Sequence, residues 1–383
     1  MSERLAAPDV LRGIAIAGTF GTNIWVFADP RGPIGIIAGA DDGWWADTAL
    51  RAAANGKFLA LLTLLFGVGV ELQYRSAVRR GLRWPGRYLL RTAILFTEGL
   101  LHYLLVFEFD VLMGYAVAAL PVAWLIGRSP RVRAVAAAAA GSAVVLIVGA
   151  VTVLTAGSTG ADAPLPPYPA TWAGQVHDRI VDAGLWRIEL VVVVPSAVAL
   201  FLAGAALLRA GVFDAAGTRL RHRLVVLGAA GAVLNVATTV AGPGWFVVER
   251  YLVAPLVALG LLGLVPELLF RLRAPAGPVR RGLTALGRTA MSCYVGQNLV
   301  AAVLFHAWGL GLATTFAALP APVRTVAVAG TWAAVLVCSA VLASVWLRRF
   351  GRGPLELLTH RLLGVGVPAD PTVRTGCRGG PGA

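Results

Sequence analysis

Arg91, Glu98 and His102 stand seven and then four residues apart, a spacing that gathers their side chains on one face of a helix. All three fall inside an apolar stretch, and an ionisable group held in a bilayer costs roughly 2.5–3.5 kcal/mol on insertion scales. The group therefore asks for a functional reading. Glu98 sits near the middle of the stretch, and a carboxylate there becomes neutral unless a cation or a donor reaches it. His102, one turn outward, is the side chain able to take up or deliver a proton near neutral pH. Proton handling or group transfer is the chemistry this pattern suits, with Glu98 or Asp110 available to orient the imidazole. Packing of the same residues against polar partners on other helices is the competing structural reading.

Further polar residues punctuate the apolar stretches. Asp9 and Arg12 are three residues apart at the start of the first one and can pair, while Asn23 lies near its far end. A later stretch opens with Arg288 and continues through Ser292, Cys293, Tyr294, Gln297 and Asn298, a polar run that belongs toward a bundle interior or a wet cavity. Tyr294 and Gln297 share a face, whereas Glu249 and Arg250 are adjacent and should seek different partners. Walker A, His-Glu-x-x-His, paired CxxC and Gly-x-Ser-x-Gly patterns are absent, so the sequence offers neither a nucleotide loop nor a metal site. Three cysteines, Cys293, Cys338 and Cys377, have no disulfide or metal spacing.

The elements that must position these residues are membrane helices. Of 383 residues, 58% are hydrophobic and 14% charged, against about 25% charged in a soluble domain. Stretches long enough to cross a bilayer are predicted at 10–27, 58–74, 88–107, 109–126, 132–155, 188–208, 224–241, 246–270, 283–307 and 325–347, about ten in all. Helices are required because each backbone amide must be satisfied within its own segment. Alternating the loops places 24 of the 33 Lys+Arg on one side and nine acids on the other. The positive-inside rule then puts both termini in the cytoplasm and makes the formal net charge of +14 a record of topology. Nucleic acid is not an expected partner; the lipid bilayer and a small-molecule substrate are. The reading is an all-α polytopic membrane protein: one integral domain over 1–366, a long external loop at about 156–187, and a disordered cytoplasmic tail over 367–383.

Four ordered stretches resemble the YeiB-like family of bacterial polytopic proteins. They are Asp9-Val-Leu-Arg-Gly-Ile-Ala-Ile with Asn23 downstream; Gly56-Lys-Phe with Leu65-Phe-Gly-Val-Gly; Glu98-Gly-Leu-Leu-His with Phe109-Asp-Val-Leu-Met-Gly-Tyr-Ala; and Gly287-Arg-Thr-Ala-Met-Ser-Cys-Tyr-Val-Gly-Gln. A fifth, Gly353-Pro-Leu-Glu-Leu-Leu-Thr-His-Arg, is similar to that family's ending. The resemblance implies a multi-pass protein of the bacterial inner (plasma) membrane. The opening Asp-x-x-Arg-Gly is also similar to that of transmembrane acyltransferases, which take an acyl group from cytoplasmic acyl-CoA and use a histidine at or just after the end of the first helix. Here Asn23 stands at the corresponding position and 28–56 holds no histidine, so His102 is the substitute base, with Glu98 and Asp110 completing the candidate catalytic set. Asp9, Arg12, Asn23, Lys57, Arg91, Tyr115, Arg288, Ser292, Tyr294 and Gln297 are the candidate substrate-binding residues. Acyl-CoA is the expected co-substrate, drawn in by Arg79, Arg83, Arg87 and Arg288, and no permanently bound cofactor or metal is expected. Two other readings stay open: a carrier coupled to protons through Glu98 and His102, and a cyclase in which protonated Glu98 acts as acid on an apolar isoprenoid-type substrate.

Overall fold

The computed structural model describes residues 6–37, 44–156, 167–272 and 276–364. The tail expected at 367–383 lies outside them, as does part of the long loop expected at about 156–187. Ten long helices carry the predicted stretches: α1 (Ala6–Ala28), α2 (Lys57–Arg79), α3 (Arg87–Leu105), α4 (Leu112–Leu125), α5 (Pro130–Thr155), α6 (Leu190–Arg209), α7 (Thr218–Ala241), α8 (Ala254–Arg271), α9 (Ala290–Phe305) and α10 (Ala321–Phe350). No strand occurs among the described residues.

Seven of the ten, α1, α2, α5, α6, α7, α8 and α10, lie in segments long and apolar enough to cross a membrane. Among the described residues the all-α, multi-span reading therefore holds. The apolar helices α4 and α9 have 14 and 16 residues. Those lengths rise about 21 and 24 Å, short of a hydrocarbon core about 30 Å thick. The third exception, α3, carries Arg87, Arg91, Glu98 and His102.

Close crossings are made where glycine removes a side chain. A Cβ on Gly67 of α2 would lie 2.1 Å from the Phe201 carbonyl oxygen of α6, and one on Gly204 of α6 would lie 2.0 Å from that of Leu64. Gly69, by contrast, faces open space. Gly228 of α7 and Gly260 of α8 meet backbone to backbone in the same way.

The predicted stretch 283–307 is two helices, Pro278–Arg288 and α9, broken at Thr289. The cause is packing on α1. A Cβ on Gly287 would fall 1.8 Å from the Asp9 carbonyl oxygen, and one on Gly13 2.0 Å from that of Leu283. This close approach explains the glycine in the Asp-x-x-Arg-Gly opening. Helix Pro278–Arg288 lies against the first turns of α1, and the chain turns at Thr289 before α9 runs beside the rest of it.

Two short helices close the site. Trp172–Val181, begun by Thr171 whose hydroxyl accepts from Gly174 N at 3.1 Å, packs against α3. Pro354–Leu362, at the end of the described chain, packs against the start of α9.

Candidate functional site

Helix α3 stops at Leu105, where the Val106 and Phe107 amides both donate to the His102 oxygen at 2.9 and 3.0 Å, and residues 106–111 are irregular before α4 begins. This break matches the Glu108–Phe109–Asp110 interruption read from the sequence. Its carbonyls are satisfied by two arginines from the segment 172–189. Arg179, fully buried, donates to the Leu104 oxygen at 3.0 Å and the Val106 oxygen at 3.4 Å, and pairs with Glu108 at 2.9 Å. Arg187 donates to the backbone oxygens of Glu108 and Asp110 while its guanidinium lies 4.0 Å over the Tyr103 ring. Tyr168 donates to Glu108 at 2.7 Å, and burial followed by that carboxylate pushes its phenol well above the ordinary value. Satisfying these groups internally is what permits irregular backbone in an apolar setting.

The break returns Asp110 to His102. The His102 Nδ1 and Asp110 Oδ2 atoms are 2.8 Å apart, with side-chain exposures of 1% and 0%. Asp110 Oδ1 accepts from Met113 N at 3.1 Å, in the first turn of α4. On the other side of the ring, Asn298 Nδ2 donates to His102 Nε2 at 3.1 Å, and Asn298 Oδ1 accepts from Asn23 Nδ2 at 3.1 Å. The order of donors and acceptors, Asn23 to Asn298 to His102 to Asp110, leaves Nε2 as the acceptor and Nδ1 as the protonated nitrogen. Tyr294 covers the imidazole with ring centroids 5.0 Å apart. Four elements thus converge: α1, α3, α9 and the 106–111 break.

Glu98 does not join them. Its carboxylate, half-buried one turn below His102, accepts from Thr359 at 3.0 Å on helix Pro354–Leu362. The same short helix ties down Ser292, whose hydroxyl donates to Glu356 at 2.5 Å, while the Met291 and Ser292 amides donate to Glu356 at 2.8 and 3.3 Å. A carboxylate on the first amides of α9 is a helix cap, favoured by the dipole. The expectation that Glu98 or Asp110 fixes the imidazole therefore resolves to Asp110.

The other candidates divide by position. Asp9 and Arg12 pair at 3.0 Å, and Arg288 donates to the Gly351 oxygen at 2.9 Å. Lys57 is buried 3.6 Å from Glu249 and donates to the oxygens of Ala52 and Asn55. Glu249 also accepts from Asn55 and Thr239, both at 3.2 Å, while Arg250 pairs with Glu189 at 3.1 Å and reaches Asn55 at 3.4 Å. A π-helical turn, Glu249–Val253, carries both neighbours, so Glu249 and Arg250 have different ion partners, as the sequence suggests, yet meet through Asn55. Tyr115 bonds Thr63 at 2.5 Å beside a 30 Å³ cavity shared with Arg250 and Tyr251. Gln297 is buried with neither amide atom partnered, and Thr19 Oγ1 is likewise unpartnered. Arg91 lines a larger open cavity of about 470 Å³ together with Arg80, Arg83 and Arg87. Of the arginines expected to attract an acyl donor, Arg83 and Arg87 are there, whereas Arg79 and Arg288 are not among the lining residues. Neither cavity is lined by His102 or Glu98.

Asn298 was legible as part of a polar run, but its role was not. The useful signal is its spacing of four from Tyr294, since those two residues, not Tyr294 with Gln297, contact His102. The arginines of the segment 172–189 carry no motif. Among the described residues no group of three His, Cys, Asp or Glu could hold a metal ion.

Residues 207–365 match the family described as "Protein of unknown function (DUF418)". Across 94% of the chain and 96% of the relative, the sequence is 28% identical to Uncharacterized protein YeiB of Escherichia coli (strain K12). It is 24% identical to Uncharacterized protein YxaH of Bacillus subtilis (strain 168), across 93% of each. No solved structure matches. The order of motifs and these end-to-end likenesses support a YeiB-like family.

Proposed function

We propose, with this likeness to the YeiB-like proteins as the premise, that the chain is a transmembrane acyltransferase that moves an acyl group from cytoplasmic acyl-CoA to a hydroxyl or amine acceptor within the bundle. The observation that carries the reading is the dry Asp110–His102 pair with Nε2 facing an exchangeable amide. In the reaction the acceptor displaces the Asn298 amide from Nε2. His102 takes the acceptor's proton there as the new O–C or N–C bond forms, while Asp110 holds Nδ1–H and stabilises the imidazolium. The C–S bond of the thioester breaks, and the departing thiolate takes the proton back from Nε2. Asn23, standing where the acyltransferases have their histidine, is linked through Asn298 to His102, which favours His102 as the replacement base. As an all-helical membrane bundle with both termini in the cytoplasm, the chain would sit in the bacterial inner membrane. The test is thiol release from acyl-CoA by purified protein supplied with an envelope extract: wild type releases thiol, and His102→Ala does not.

A proton-coupled carrier is the second reading, favoured by the buried Lys57–Glu249 pair and its chain through Asn55 to Arg250 and Glu189. Substrate flux in proteoliposomes driven by a pH gradient and abolished by Glu249→Gln would support it over acyl transfer. The cyclase reading needs Glu98 free to protonate a substrate, and the Thr359 bond argues against it.

A further inference from the structure

The groove of about 470 Å³ at the junction of α2 and α3 is not explained by packing. Its volume is that of a small-molecule site, about 300–1,000 Å³. Arg80 comes from the end of α2, Arg83 from the turn, and Arg87 and Arg91 from successive turns of α3. No carboxylate lines it, and none of the four guanidinium groups has an ion pair within 4.0 Å among the described residues. Glu98, further along α3, accepts from Thr359.

Several arginines elsewhere in the molecule pair with acids. Glu71 takes both Arg75 and Arg209, and Glu267 takes Arg221 and Arg271. Among the described residues the four arginines of the groove make no such ion pair and share one cavity. Like charges four apart on a helix, as at Arg87 and Arg91, repel unless an anion lies between them. Gln73 and Ser76 add uncharged polar groups to the same wall. Tyr88 lines it too, and Leu82, Trp84 and Leu363 supply apolar surface, with the Trp84 indole fixed by donation to the Ala123 oxygen at 2.7 Å.

We infer that this groove binds a phosphate-bearing anion, its phosphates held by Arg80, Arg83, Arg87 and Arg91 and its uncharged part laid on Leu82, Trp84 and Leu363. Guanidinium forks match phosphate oxygens two at a time. Two sources share that chemistry: a soluble nucleotide-type thioester carrier and the headgroup of an anionic phospholipid. Choosing coenzyme A as the soluble probe rests on the acyl-transfer reading; the phosphate chemistry does not.

The experiment uses the full chain, purified in uncharged detergent or in nanodiscs. Coenzyme A and pyrophosphate are titrated calorimetrically, and co-retained phosphatidylglycerol is counted after purification from phosphatidylcholine/phosphatidylglycerol nanodiscs. The double variant Arg83→Gln/Arg87→Gln weakens the binding of whichever source is correct by about tenfold or more. Arg131→Gln, an exposed arginine outside the groove, leaves it unchanged. Loss of coenzyme A binding identifies the soluble source, and loss of phosphatidylglycerol alone identifies the headgroup. Unchanged binding of all three probes in a double variant that melts like wild type overturns the inference. His102→Ala should bind the probe as wild type does, so groove binding without acyl transfer in wild type would refute the catalytic reading and leave the groove standing.

Discussion

His102 has both ring nitrogens occupied, one by a carboxylate and one by an amide. Asp110→Asn keeps the shape of the pair but removes the charge that favours Nδ1–H and the imidazolium. Thiol release should fall about 10²–10⁴-fold, the range for lost general-base assistance. Glu98→Gln preserves an oxygen for Thr359 to donate to, and its release rate should equal that of wild type. A fall matching that of Asp110→Asn would mean that Glu98 does serve His102. The sequence shows Glu98 and His102 on one face, and periodicity has no more to say. What separates them is a helix more than 250 residues later in the chain, whose Thr359 and Glu356 claim Glu98 and Ser292. Asn298 was hidden for a related reason: a polar run on a buried helix shows that something polar faces it, but not which of its members the partner meets.

At the level of elements, irregular pieces hold the His102–Asp110 pair together. The 106–111 break sets Asp110 beside His102, and Arg179 holds that break in shape. Arg179→Ala leaves Glu108 without its cation and two carbonyls without a donor. The expected cost is about 3–5 kcal/mol, read as a lower melting temperature of the purified protein. The contact of α1 with Pro278–Arg288 depends on two glycines. Gly287→Val puts a branched side chain where backbone already stands 1.8 Å from a Cβ, and should destabilise by about 1–3 kcal/mol in the same assay. The apolar stretches located every long helix, although starts such as those of α7, α8 and α9 lie six to eight residues from the expected ones. The break at Thr289 was not legible, because it follows from the path of α1, nearly 280 residues away in sequence, and not from a local breaker such as proline.

For the molecule as a whole, composition alone excluded a soluble fold, and seven helices meet the requirements for crossing a bilayer. The arginine excess makes a prediction about sidedness that labelling can check. In a chain whose native cysteines are replaced, Asp182→Cys should react with a membrane-impermeant maleimide on intact cells, and Arg131→Cys only after lysis. The reverse pattern would invert the topology and place the arginine groove outside the cell. Across the molecule the groove and the histidine share α3: Arg91 and His102 are eleven residues apart, a rise of about 16 Å. A donor anchored by its phosphates at one end of that helix would have its reactive end directed toward the other. The central claim is that His102 is the base for acyl transfer, and its most direct test is thiol release from acyl-CoA by His102→Ala beside wild type, both folded by melting and both given the same envelope extract. The account predicts turnover in wild type and a loss of at least about 10²-fold in the variant; equal turnover in the two proteins, or none in wild type across acceptor extracts, would contradict it.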